Sequence, residues 1–162
     1  MAPLETEDLG PIVVAALRHR GAHSPMSTDG TWSDLILYAS PRRLLGRNPE
    51  VRGVGLLWDD PRTFPDDERR YDVGIPIDRE DISDIERPAF VIVTCPGRYM
   101  KVRHVGPYDE LLRTYHDVLS NTLRYEELTL VGSPIIELYR NSPADVEEDD
   151  LVTDIYLPVI KL

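Results

Sequence analysis

Arg18-His19-Arg20-Gly21 recurs as Arg103-His104-Val105-Gly106, 85 residues further on. Leu57-Trp58-Asp59-Asp60-Pro61 leads to Tyr71-Asp72-Val73-Gly74-Ile75-Pro76-Ile77. That passage recurs as Leu138-Tyr139-Arg140-Asn141-Ser142-Pro143, leading to Thr153-Asp154-Ile155-Tyr156-Leu157-Pro158-Val159, with the prolines 82 apart. The first copy therefore carries about three extra residues between its landmarks. A fixed internal period of this size means one structural unit used twice. Two such units about a pseudo-two-fold axis leave a seam between them, and concave seams are where small molecules bind.

The 162 residues suffice for one domain with a full core, and no linker is long enough to argue for two. The reading is a single domain over 1–162 with repeats at about 11–77 and 89–159. No apolar run approaches the roughly 20 residues that span a bilayer, so no membrane role is expected. The acidic first ten residues lack the basic and apolar regions of a secretory signal, which makes the cytoplasm the expected address. The single cysteine, Cys95, excludes an intrachain disulfide and a thiolate metal cage, and reads as a partly buried small hydrophobe at a strand end. A net charge of −11, with no basic stripe and no helix-turn-helix segment, argues against direct nucleic-acid contact. It suits cationic ligands or a basic surface on a protein partner.

Residues 11–18 read as a strand, 22–30 as a loop. Trp32, Leu35, Ile36 and Ala39 then follow at the spacing of an amphipathic helix. Thr28 or Asp29 is the expected cap, and Pro41 predicts a break at Ser40. Strands are predicted over 51–58 and 71–77, joined by a charged connection over 59–69, with a charged linker over 78–87. The second copy opens with a predicted hairpin, 89–95 and 99–105 about a Pro96-Gly97 turn. Pro107 suits an early helical position, and Tyr108, Leu111, Leu112, Tyr115 and Leu119 run down one helical face. Strands over 135–140 and 151–159 close the chain around the acidic loop 146–150. Each copy thus reads strand–helix–strand–strand, with an added strand leading into the second. The expected architecture is α+β: a mostly antiparallel sheet from two pseudo-symmetric modules, with one main helix from each.

Matching the strands that end in an aromatic residue sets Gly55-Leu56-Leu57-Trp58 against Ile136-Glu137-Leu138-Tyr139. Glu137 then stands where the first copy has Leu56, and it shares a strand face with Ile135 and Tyr139. A carboxylate in an apolar strand is costly to bury unless paired or partly solvated. It either lines a cleft and attracts a cation, helped by nearby aromatic rings, or simply faces water. Trp58 matches Tyr139, and Trp32 matches Tyr115 (Thr31-Trp32-Ser33-Asp34 against Thr114-Tyr115-His116-Asp117). Most aromatics at helical spacing are core, but this set falls near a symmetric seam.

His19 and His104 are repeat partners and point to a repeated structural role at the strand-to-helix corner. His23 and His116 lack ligand spacing, so no metal site is expected. No phosphate loop, nucleophile elbow or zinc-protease pattern is present, and no cofactor is expected.

Arg103-His104-Val105-Gly106-Pro107-Tyr108, the earlier Arg18-His19-Arg20-Gly21 and the two aromatic–loop–proline strand pairs resemble the GyrI-like family over about residues 12–159. That family includes the DNA gyrase inhibitor protein and the effector-binding domains of AraC-type and multidrug-sensing regulators. The resemblance implies a pseudo-symmetric pair of strand–helix–strand–strand modules with a ligand cleft between them. It also implies that Glu137, by motif position, recognises lipophilic cations, with Tyr139 and Tyr108 beside it. The first copy departs from the family pattern, with Gly21-Ala22-His23 and a longer loop in place of Gly-Pro-Tyr, so that half of the cleft is expected to be shaped differently.

The leading expectation is a stand-alone protein that senses or sequesters amphipathic, cationic compounds through Glu137, Tyr139, Tyr108, Trp58, Trp32 and Tyr115. A second reading, implied by the resemblance, is inhibition of DNA gyrase by protein–protein contact. A third, from the same source, is a hydrolase of strained cyclopropanoid rings. There Glu137 would activate water, with Tyr108 or Tyr139 as the proton partner.

Overall fold

A computed structural model describes residues 5–20, 25–65, 67–132 and 134–162, without the side chains of 25–27. Among the described residues, eight strands form one antiparallel sheet. They are β1 (Glu5–Leu9), β2 (Val13–His19), β3 (Gly53–Leu57), β4 (Tyr71–Pro76), β5 (Phe90–Val93), β6 (Gly97–Val105), β8 (Ile135–Tyr139) and β9 (Val152–Leu157), in the spatial order β1-β6-β9-β8-β3-β4-β2-β5. A small second sheet pairs β7 (Leu128–Leu130) with β10 (Val159–Lys161), neither of which the sequence reading separated from its surroundings. The α+β architecture with paired modules is as expected: β2, β4 and β3 make one half, β6, β9 and β8 the other, and β3 meets β8 at the centre.

The predicted hairpin before β6 does not form. Phe90–Val93 pairs with β2 at the far edge of the first half, while Glu5–Leu9, too acidic to read as a strand, pairs with β6 of the second. Each module thus lends its leading strand to the edge of the other, which ties the halves together through backbone hydrogen bonds. Cys95, in the connection from β5 to β6, is exposed rather than partly buried.

Helix α1 (Pro25–Ala39) begins earlier than its apolar period suggested. Pro25 occupies the first position, where a missing N–H costs nothing, so Thr28 and Asp29 lie inside the helix rather than capping it. The chain leaves the helix after Ala39, just before Pro41, as the proline requires. Of the loop expected over 22–30, residues 25–30 are instead the first turns of this helix, started by Pro25, and 22–24 lie outside the described residues. In the second module a 3₁₀ turn (Tyr108–Glu110) leads into α2 (Leu111–Asp117). A π-helical turn (Val118–Thr122) continues it into α3 (Leu123–Tyr125). The carbonyl of Leu119 in that π turn accepts a hydrogen bond from the Arg62 guanidinium at 2.7 Å. Among the described residues no helix is long and apolar enough to cross a membrane.

Strand alternation divides the interior in two. Val13, Ala15, Leu17, Leu57, Val73, Ile75, Val102, Ile135, Ile155 and Leu157 face the helices and bury Leu35, Leu111, Tyr115 and Leu119 against them. Val14, Ala16, Val54, Leu56, Ile136, Leu138 and Tyr156 form a second core on the opposite face. Each Val, Leu or Ile among them contributes roughly 1.5–3 kcal/mol by leaving water.

The repeat is written in hydrogen bonds as well as in sequence. Arg18 pairs with Asp72 through Nε and Oδ1 at 2.8 Å, and Arg103 with Asp154 through the same atoms at 2.8 Å. His19 Nδ1 lies 2.8 Å from Thr31 Oγ1, and His104 Nδ1 lies 2.9 Å from Thr114 Oγ1, so the two histidines do repeat a strand-to-helix brace.

These ladders also correct the register of the central strands. Asp72 and Asp154 are equivalent; Gly55 pairs with Val73 and Glu137 with Ile155, one residue along β4 and β9 from those aspartates. Glu137 therefore corresponds to Gly55, not Leu56, and Trp58 corresponds to Arg140, not Tyr139. Trp58 Nε1 donates to Asp72 Oδ2 at 2.6 Å, just as Arg140 Nε donates to Asp154 Oδ2 at 2.7 Å. A shift of one residue exchanges the faces of a strand, which places Trp58 against the second core.

Candidate functional site

Helix α1, the start of α2 and the strand ends at Gly53 and Tyr139 enclose a cavity of about 300 Å³. Its aromatic lining is Trp32, Tyr71, Tyr108 and Tyr139, with Ile36, Leu111 and Leu112 as aliphatic neighbours. Tyr139 meets Trp32 and Tyr108 edge to face, with both ring centroids at 5.4 Å and interplanar angles of 86° and 88°. Such pairs fix ring orientation and contribute about 0.5–1.5 kcal/mol beyond their burial. Gly53 lies where a side chain would press on the Trp32 indole, so the glycine lets that ring lie close to the sheet.

Directly beneath Tyr71 and Tyr139 is Glu137, fully buried. Its Oε1 accepts hydrogen bonds from the hydroxyls of Tyr71 at 2.5 Å and Tyr139 at 3.1 Å, and its Oε2 accepts from Tyr115 at 2.8 Å. The hydroxyls of Tyr71 and Tyr139 are themselves 3.0 Å apart. Three elements converge here: Tyr71 from β4, Glu137 and Tyr139 from β8, and Tyr115 from α2. Gly55, opposite Glu137 across the β3–β8 ladder, supplies the space, because a Cβ there would strike both the Tyr71 hydroxyl and Glu137 Oε1.

Burial first, and then the Glu137 charge, push the hydroxyls of Tyr71, Tyr115 and Tyr139 well above the ordinary tyrosine range. Burial alone lifts Tyr108 to about 12. All four therefore stay protonated at neutral pH, and the three around Glu137 remain donors. The result is a floor of two tyrosine hydroxyls over an acidic side chain that satisfies its acceptors without opening to the cavity.

Of the residues singled out from sequence, Trp32, Tyr108 and Tyr139 line the cavity, and Glu137 and Tyr115 lie immediately under it. Trp58 is on the other face of the sheet, held by Asp72. Sequence reasoning missed Tyr71, Gly55 and the rim residues Asp29 and Arg52. Tyr71 carried one signal, the inward phase of the Tyr71, Val73, Ile75 alternation, but its nearness to Glu137 depends on strand pairing.

The sequence profile of the GyrI-like small molecule binding domain matches residues 3–160. The chain belongs to the GyrI-like family. Among curated relatives, the Escherichia coli (strain K12) protein named "Probable transcriptional regulator YgiV" is 29% identical over 94% of this chain and 92% of its own length. The EcmrR C-terminal domain matches the fold with a TM-score of 0.77 at 15% identity, covering 100% of this chain and 99% of that one. SAV2435, solved bound to tetraphenylphosphonium, matches with a TM-score of 0.68 at 16% identity over 98% of this chain and 94% of its own. The fold of this GyrI-like domain is therefore shared with an isolated domain of a larger protein and with a binder of a lipophilic cation.

Proposed function

We propose that this GyrI-like chain senses or sequesters amphipathic organic cations in the cavity between its modules. The observation that carries the reading is Glu137, buried beneath the two tyrosine hydroxyls that floor an aromatic-walled cavity. A cation resting on Tyr71 and Tyr139 lies about 6 Å from the carboxylate, a separation worth roughly 3 kcal/mol at an effective dielectric constant of 20. Each face-on contact with Trp32, Tyr108 or Tyr139 adds about 0.5–2 kcal/mol. Both oxygens of the acid are already hydrogen-bonded, so it lies under the cavity with its acceptors met. A shared fold with SAV2435, whose structure holds tetraphenylphosphonium, supports the reading.

The same geometry weighs against turnover by Glu137. Both its oxygens accept from tyrosines and it has no exposed surface, an arrangement that holds a charge rather than one that activates water.

Calorimetric titration with tetraphenylphosphonium and a neutral triphenyl analogue tests the proposal. The wild type binds the cation selectively, and Glu137→Gln loses that selectivity by about tenfold or more. Equal affinity for both compounds, or an unchanged Glu137→Gln, overturns it.

A further inference from the structure

We infer that the cavity is matched to ligands with two cationic centres, the outer one held at the mouth by Asp29. The inference rests on the proposal above and adds a second recognition element to the same site. Thr28, Asp29, Trp32 and Ile36 all line the cavity from α1. Asp29 is exposed and sits three residues before Trp32, about 4.5 Å along the helix axis. The Trp32 ring is 5.4 Å from that of Tyr139, which bonds Glu137. One acid thus lies under the inner end of the aromatic walls and another stands at the outer end, with Trp32 and Tyr139 between them.

Charge balance at the lining singles out Asp29. Besides Asp29, Arg52 is the one charged lining residue, and its guanidinium is 3.1 Å from Asp145. That pair cancels, whereas Asp29 has no ion pair among the described residues. The mouth therefore keeps a net negative charge, with aromatic walls leading inward to Glu137. A rigid bis-amidine with an aromatic spacer fits both ends; a single cation uses only the inner one.

Fluorescence titration with stilbamidine and its matched mono-amidine, amidinostilbene, on wild type and Asp29→Asn tests this. Tetraphenylphosphonium runs alongside on wild type, Asp29→Asn and Glu137→Gln. The wild type prefers stilbamidine by about three- to fivefold, the range of an exposed ion pair, and added salt shrinks the preference. Asp29→Asn abolishes the preference, and it weakens tetraphenylphosphonium binding by less than Glu137→Gln does. If the wild type shows no preference, or Asp29→Asn keeps it, the inference falls although Glu137-dependent binding of tetraphenylphosphonium stands. If tetraphenylphosphonium fails to bind the wild type, the reading of the inner site falls and takes this one with it.

Discussion

Gly55 and Glu137 face each other across the β3–β8 seam, and they are also the residues that the internal repeat makes equivalent. The pseudo-two-fold thus pairs a missing side chain with a carboxylate at one point. The asymmetry is what makes a site: two glutamates there would repel one another, and two glycines would leave no charge. Tyr71 fills the volume that Gly55 vacates, and its hydroxyl closes on Glu137 Oε1.

Gly55→Ala tests that volume directly. A methyl group there collides with the Tyr71 hydroxyl and the Glu137 carboxylate, so the variant is expected to lose about 2–3 kcal/mol of stability. Its affinity for tetraphenylphosphonium falls with it. Urea unfolding followed by calorimetry reads both, and a variant as stable as wild type refutes the packing argument.

The tyrosines around Glu137 are graded by geometry. Tyr71→Phe removes the 2.5 Å bond and leaves Glu137 short of a donor, at a cost of about 1–3 kcal/mol; Tyr139→Phe removes a 3.1 Å bond and costs less. Their raised hydroxyl pKa values also set an alkaline limit. The folded state holds these protons more tightly than the unfolded chain, so their contribution is complete below about pH 10 and is lost as pH rises through the folded values. Tyrosinate absorbance in a pH titration should therefore appear for these residues together with unfolding. Early titration without unfolding contradicts the assignment.

Trp32 and Trp58 separate the two faces of the sheet. Trp32→Ala is expected to weaken cation binding by about tenfold through lost ring contact. Trp58→Phe loses its bond to Asp72 and costs about 1–2 kcal/mol of stability, with cation affinity unchanged within about twofold. Loss of binding in Trp58→Phe would contradict the register derived from the ladders.

Asp154 contributes to acid stability. Burial pushes its carboxyl up, but hydrogen bonds from Arg103 and Arg140, with the charges of Arg103 and Lys101, outweigh burial and hold it below the ordinary range. A depressed carboxylate stabilises the fold fully above its unfolded value, about 3.9, and that contribution drains away as pH falls through the lower folded value. Asp154→Asn should cost about 2–3 kcal/mol at pH 7, with the gap to wild type narrowing below about pH 4. A gap independent of pH in urea melts rules out this linkage.

Particular residues show how far the sequence reached. The Arg-His repeat located both strand-to-helix corners, because residues that brace the same joint twice must recur at the same place in each module. Glu137 drew notice because a carboxylate among Ile135, Ile136 and Leu138 demands an explanation. The aromatic match then misled: Trp58 and Tyr139 look alike in sequence, but the repeat equates Trp58 with Arg140, since either side chain can donate to the aspartate beside it. Asp29 and Arg52 gave no signal, because polar residues on a rim differ from any surface residue only in what faces them.

By itself the chain determined its doubling, its antiparallel α+β design and the candidate acid. Those follow from local pattern: period, alternation and the cost of a charge among aliphatics. Tertiary structure decided which residues meet. The exchange of edge strands, the choice of Gly55 opposite Glu137 and the arrival of Tyr71 and Tyr115 at its two oxygens all depend on strand register and helix docking. Alternation tells a strand which side is inward, but only pairing says what lies across from it. A single residue of register moves a side chain from the cavity to the opposite core.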